Sequence, residues 1–133
     1  MTEKKVINPG WQKYMNHPAL TYVPAVQKGN MLFISGLTGV NPETGELVGK
    51  DDMEAQTRQI YRNLADILKA AGATFDNIVQ TTDYITTREN YGKTGKVRRE
   101  FFGKSLPASV GFIVKDLLRE NAMIEVSAIA VLD

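Results

Sequence analysis

Cysteine is absent from this 133-residue chain, which excludes disulfides, thiolate catalysis and cysteine-held metal. Histidine occurs once, as His17 ahead of Pro18, and one histidine without a partner cluster speaks against a zinc site. No apolar run reaches the length of a membrane span, and Met1 to Lys5 lacks the apolar core of a signal peptide. A cytoplasmic location and no membrane partner are therefore expected. Charge of one sign is missing as well. Sixteen basic residues against fifteen acidic ones give a net charge of +1, and the basic residues are scattered, so no nucleic-acid partner is expected. Ser35-Gly36-Leu37-Thr38-Gly39 does not open a helix, so it is no phosphate loop.

What remains is an ordinary globular composition, 43% apolar and 23% charged, sized for one domain. Its most informative residue is Glu125, set in the run Met123 to Leu132 that otherwise reads as a buried strand. With period two, Ile124, Val126, Ala128, Ala130 and Leu132 share one face, and Met123, Glu125, Ser127, Ile129 and Val131 share the other. A carboxylate among apolar neighbours needs a hydrogen-bonding partner, a raised pKa or an opening to water. Each of these describes a site. A plain solvent face is the alternative, and Met123, Ile129 and Val131 would suit it poorly.

Residues 1 to about 18 read as an irregular arm broken by Pro9-Gly10 and Pro18, with Trp11, Tyr14 and Met15 packing onto something. The body, residues 19–133, begins with strands over Thr21–Gln27 and Met31–Ser35, joined by the turn Lys28-Gly29-Asn30. Short strands are expected on either side of the turn cluster Asn41 to Glu46. A helix follows over about Asp52–Ala71, its stripe formed by Met53, Thr57, Ile60, Tyr61, Leu64, Ile67, Leu68 and Ala71. Glu54 precedes Arg58 by four residues on its outer face, in the favourable order for an ion pair, and Gly72 is its stop. Ile78–Thr87 is a third strand, with Val79, Thr81, Asp83 and Ile85 on one face and Tyr84 as core packing on the other. Asp83 is either a second cleft acid or, the reading favoured here, an acid paired with a nearby Lys or Arg. A second helix over Asn90–Phe102 carries Gly92 and Gly95 in a frayed first turn. Strands over Ser109–Val114 and Met123–Leu132 complete an α+β domain with both helices on one sheet face. The uncovered face would expose alternating apolar residues, which points to a closed homo-oligomer.

Several short blocks resemble one family when taken in order. They are Gly29-Asn30-Met31, Ser35-Gly36-Leu37, Val40-Asn41-Pro42-x-Thr44-Gly45, Gln56, Asn63-Leu64, Ala70-Ala71-Gly72, Ile78-Val79, Thr81-Thr82, Phe101-Phe102, Pro107-Ala108 and Ile124-Glu125-Val126-x-Ala128-Ile129-Ala130-Val131. Together they resemble the YjgF family of reactive intermediate deaminases, also described as L-PSP endoribonuclease-like. The resemblance spans about Thr21 to Val131. It implies a chorismate-mutase-like fold, a homotrimeric barrel with three inter-subunit clefts, and hydrolysis of 2-imino or 2-enamino acids to 2-keto acids and ammonia. It also implies that no metal or organic cofactor takes part.

Position by position, the resemblance implies that Glu125 holds the attacking water and that Tyr22, Ser35 and Gly36 line the cleft. The family's deaminases carry a Pro-Ala-Arg whose arginine clamps the substrate carboxylate. Ser109 stands in its place here. Gly111 replaces a cysteine, Gly95 a polar helix residue and Ser127 a second acid. A hydroxyl offers one neutral hydrogen bond where a guanidinium offers a bidentate fork. Either the substrate is different and larger, or another cation substitutes; Arg98 and Arg99 are the candidates, with a solvated helix face as their ordinary role. The expected function is a cofactor-free imine or enamine hydrolase acting on a small molecule other than 2-iminobutyrate, such as an aminomuconate-like compound. A non-catalytic binding or regulatory trimer is the alternative, and an endoribonuclease-like activity a weaker one.

Overall fold

The computed structural model describes residues 3–11 and 19–133. Its centre is a six-stranded sheet made of β1 (Lys5–Ile7), β2 (Ala25–Lys28), β3 (Met31–Leu37), β4 (Ile78–Ile85), β5 (Ala108–Ile113) and β6 (Ile124–Val131), ordered β1-β2-β3-β6-β4-β5. Helices α1 (Met53–Ala70) and α2 (Thr94–Phe102) cover one face. All neighbouring strands are antiparallel except β4 and β5. The α2 crossover between those two makes their parallel pairing possible. Together with a single core this is the α+β architecture expected from the element pattern.

The alternation in β6 has the expected result. Ile124, Val126, Ala128 and Ala130 are buried beneath the helices, while Glu125, Ser127, Ile129 and Val131 are half-buried on the open face. α1 presents Met53, Thr57, Ile60, Tyr61, Leu64, Ile67 and Leu68 to the same core. Asp52 caps its start by accepting from the Ala55 amide at 3.0 Å, and Gly72, at φ 71°, follows its last turn in a conformation that glycine adopts without a Cβ penalty. On the outer surface Arg58 pairs with Glu54 at 3.8 Å and with Glu100 of α2, and Lys96 reaches Glu54 at 3.1 Å. The predicted i,i+4 pair thus belongs to a small network tying the helices together.

Several sequence readings are corrected. Lys5–Ile7 falls in the stretch expected to be an irregular arm, yet it pairs with β2, and Trp11 is buried with its indole N–H 3.4 Å from the Asp66 carboxylate. A three-residue strand is too short to carry a periodic signal. Tyr14, Met15 and His17, also read as part of that arm, lie outside the described residues. Around the 41–46 turn only an isolated bridge, Val40 to Leu47, replaces two strands. An irregularity in β4 between Ile78 and Gln80 turns Val79 outward, so it does not share the face of Thr81, Asp83 and Ile85. Tyr84 is not in the core either. It lies on the open face, stacked on Phe112 with ring centroids 5.9 Å apart.

Asp83 takes the structural role favoured for it. It is buried, accepts from the Tyr91 hydroxyl at 2.6 Å and lies 3.6 Å from the Arg98 guanidinium. Burial pushes its carboxyl above the usual carboxylate range despite the opposing pull of Tyr91 and Arg98. Its second oxygen, the Tyr61 hydroxyl and the Thr81 hydroxyl are buried without a partner among the described residues.

Candidate functional site

A cavity of about 780 Å³ opens where β3 ends and β6 begins. Glu125 and Gly36 face it from the open side of the sheet, and the loop from Thr38 to Gly45 forms a wall. Tyr22 and Leu20 contribute from the segment before β2, Trp11 from the segment after β1, and Leu118 and Arg119 from the β5–β6 connection. Most of this lining is apolar, with few polar groups converging on it, the usual build of a small-molecule site.

Local sequence explains how Glu125 comes to face this space. The β3–β6 ladder is regular from Met31 to Ile34 and resumes at Leu37, so Ser35-Gly36 forms an irregular step opposite Ser127. Glycine at that step leaves the Glu125 carboxylate its place. A Cβ on Gly36 would lie 2.9 Å from Glu125 Cδ and would overlap one carboxylate oxygen. Across the ladder Tyr84 stands beside Glu125. The carboxylate has no hydrogen-bond or ion-pair partner among the described residues, and burial alone raises its pKa above the ordinary glutamate value. Replacing Gly36 with alanine should rotate the flexible carboxylate aside and leave the backbone in place. Turnover is expected to fall by about 10²-fold, the scale of a 1 Å misplacement. Circular dichroism and thermal melting should match the parent; a globally destabilised Gly36→Ala would assign the glycine a folding role instead.

Ser35 is placed at the cavity with its proton already committed. Its hydroxyl donates to the Val23 carbonyl at 2.6 Å, and its amide donates to the Pro24 carbonyl at 2.9 Å. It therefore holds the Tyr22–Pro24 segment against β3, positioning the half-exposed Tyr22 at the rim.

The other expected site residues do not join this cavity within the chain. Ser109 and Gly111 sit on edge strand β5 in register with Thr81 and Asp83, on the helix side of the sheet and away from the face of Glu125. Both are exposed. Arg98 donates to the Thr94 hydroxyl at 2.5 Å and lies over the Tyr91 ring at 5.2 Å as well as beside Asp83. It is thus a member of the α2 packing network and does not reach this cavity within the chain. Arg99 is exposed on α2, outside the cavity. Gly95 is close to both arginine tips, where a Cβ would meet them at 3.7 and 3.8 Å.

Three residues escaped sequence reasoning as site builders. Gln56 is fully buried; its amide nitrogen donates to the Gly49 and Asn121 carbonyls at 3.1 and 3.2 Å, and its oxygen accepts from the Met123 amide at 2.8 Å. It fastens the end of the β5–β6 connection and the start of β6 to α1. Asn63 donates to the Val40 carbonyl at 2.7 Å and lines the cavity. Two amides at buried helix positions were the available signal. Arg119, the third, gave none, because an arginine in a polar connection looks like any solvated charge. Among the described residues no three His, Asp or Glu side chains cluster as a metal site, and no helix is long and apolar enough to cross a membrane.

An antiparallel-rich sheet under two helices, with an isolated carboxylate at one end of a largely apolar cavity, has the build of a small-molecule site at a strand end. The family model described as Endoribonuclease L-PSP matches residues 14–132. A RutC family protein of Pyrococcus horikoshii is 39% identical over 113 residues, covering 85% of this chain and 88% of that one. The mouse 2-iminobutanoate/2-iminopropanoate deaminase is 37% identical over 110 residues, covering 83% and 80%. A solved Rid-family protein from Yersinia pestis superimposes with a TM-score of 0.85 at 33% identity, over 98% of this chain and 100% of the other. The chain therefore belongs to the L-PSP endoribonuclease family, the YjgF or Rid family that its motifs resemble.

Proposed function

We propose that the protein is a cofactor-free hydrolase of imines or enamines, working as a homotrimer. The observation that carries this reading is Glu125: a half-buried carboxylate with a raised pKa and no protein partner among the described residues, facing an apolar cavity. Such a group accepts a proton more readily than an ordinary glutamate at neutral pH. Water held by Glu125 gives it a proton and adds to the C=N carbon. The carboxyl returns that proton to nitrogen, giving a carbinolamine, and then carries the proton of the new hydroxyl to the amine as the C–N bond breaks, so that ammonia leaves and the carbonyl forms. The deaminase name of the mouse relative supports the reaction class. The roomy cavity favours a substrate bulkier than 2-iminobutyrate, of the size of an aminomuconate-like compound. In the trimer, the exposed β5 edge of a neighbour would bring its Ser109 and Gly111 to the mouth of the cavity.

A panel of imino acids generated in situ from amino acids, with ammonia release followed, tests this reading. The pH dependence carries its own expectation. Only the deprotonated base works, so kcat/KM should rise with pH through an apparent pKa above the ordinary glutamate value. That limb should vanish in Glu125→Gln. A profile flat across the acidic range in the wild type would remove Glu125 as the base.

The second reading is a ligand-binding or regulatory trimer without turnover. The absence of an arginine at Ser109 and the structural engagement of Arg98 favour it. It predicts saturable binding with no ammonia released from any imine.

A further inference from the structure

Building on the reading of the Glu125 cavity as a substrate site, we infer that Arg119 is the residue that selects for an anionic group on the ligand. Arg119 sits on the β5–β6 connection, between the end of the parallel edge strand at Ile113 and the start of β6 at Ile124. It lines the same cavity as Glu125 and is the cation among the described residues that does so.

Arg119 is exposed at the rim of the cavity and is tethered there. One guanidinium nitrogen donates to the Gly45 carbonyl at 2.8 Å, anchoring the connection to the loop that walls the cavity. The end of that connection is fixed from the other direction, where Gln56 binds the Asn121 carbonyl and the Met123 amide. A guanidinium has five N–H donors in a planar fork, and the contact with Gly45 engages one nitrogen. Glu46 and Glu120 line a second recess together with Arg119, yet it forms an ion pair with neither. A cation held by one backbone carbonyl and without a carboxylate partner among the described residues is poised for an incoming anion.

The cavity then has a defined polarity. Arg119 holds a carboxylate, Glu125 addresses the electrophilic carbon, and Leu20, Leu37, Val40 and Leu118 contact an apolar body between or beside them. The ligand class is an organic acid whose hydrocarbon portion exceeds that of a four-carbon imino acid. Arg119 serves here as a specificity residue that binds ground state and transition state alike.

The test compares 2-oxo-4-phenylbutanoate with its primary amide by calorimetry on the intact protein, using wild type, Arg119→Met and Arg119→Lys. Wild type should prefer the carboxylate. Arg119→Met should weaken carboxylate binding by roughly 10- to 100-fold, the worth of a hydrogen-bonded charge, and leave the amide unchanged. Arg119→Lys retains a donor for Gly45 and should keep part of the preference. With a turned-over imino acid, Arg119→Met should raise KM while kcat stays nearly constant. The inference is overturned by a wild type indifferent to the carboxylate, by a preference that survives in Arg119→Met, or by equal loss of both ligands, which would make Arg119 a loop tether only. Arg119-dependent carboxylate binding with no imine hydrolysed would remove the hydrolase reading and leave this assignment standing. Hydrolysis with Arg119-independent binding would do the reverse.

Discussion

Replacing Glu125 with glutamine is expected to lower imine turnover by roughly 10²–10⁴-fold, the usual worth of general acid–base catalysis. The amide has nearly the same shape, so the crowded contact with Gly36 and the ladder with Tyr84 should be preserved. Stability should not fall. Glu125 has a folded pKa raised by desolvation, so the fold favours its protonated form. The stabilisation linked to that proton is present below the unfolded pKa and is lost as pH rises through the folded pKa. Above the folded pKa the ionised side chain therefore opposes folding, and a neutral glutamine should be neutral or mildly stabilising there. A structural acid would behave oppositely, with a lower melting temperature in Glu125→Gln. Full turnover in a stable Glu125→Gln protein would end the role given to this residue.

Light scattering at micromolar concentration is expected to give three times the 14.8 kDa chain mass, and Phe112→Asp to reduce it to one. The sheet face away from the helices carries Phe33 and Phe112, which are 46% and 52% exposed, alongside Val110. An apolar face of this extent is unusual on a monomer, and a closed symmetric assembly would cover it. Phe112 lies on the edge strand and stacks on Tyr84, so an aspartate there would have to be buried unpaired against a neighbour, at a cost of several kcal/mol. It touches none of the buried core beneath α1, so circular dichroism should report an intact fold. If the clefts are formed between copies, turnover should disappear with the assembly. A Phe112→Asp protein that keeps the parent mass would show that this face is not the interface.

The sequence pattern made some elements legible and left others dark for identifiable reasons. The 3.6-residue stripe of α1 and the strict alternation of β6 are long and strongly segregated, so both their type and their buried faces could be read directly. Glu125 stood out because a carboxylate interrupted an apolar strand. β1 was missed because three residues carry no period. The outward turn of Val79 was missed because an irregularity in the β4 ladder breaks the alternation that predicts it. The two-residue identity Ser35-Gly36 was visible, but its reasons were not. The serine hydroxyl is held by a carbonyl twelve residues away, and the glycine makes room for a side chain on another strand.

By itself the sequence determined the class of fold, the face on which Glu125 lies, the family, and the loss of the arginine at Ser109. These follow from local periodicity and from residue identity, which need no third dimension. Tertiary structure alone decided which charged groups meet. It placed Ser109 and Gly111 on the other face of the sheet from Glu125, bound Arg98 to Asp83, and carried Arg119 to the cavity. Electrostatic partnership depends on distances of a few ångströms between residues far apart in the chain, and a one-dimensional pattern does not contain them.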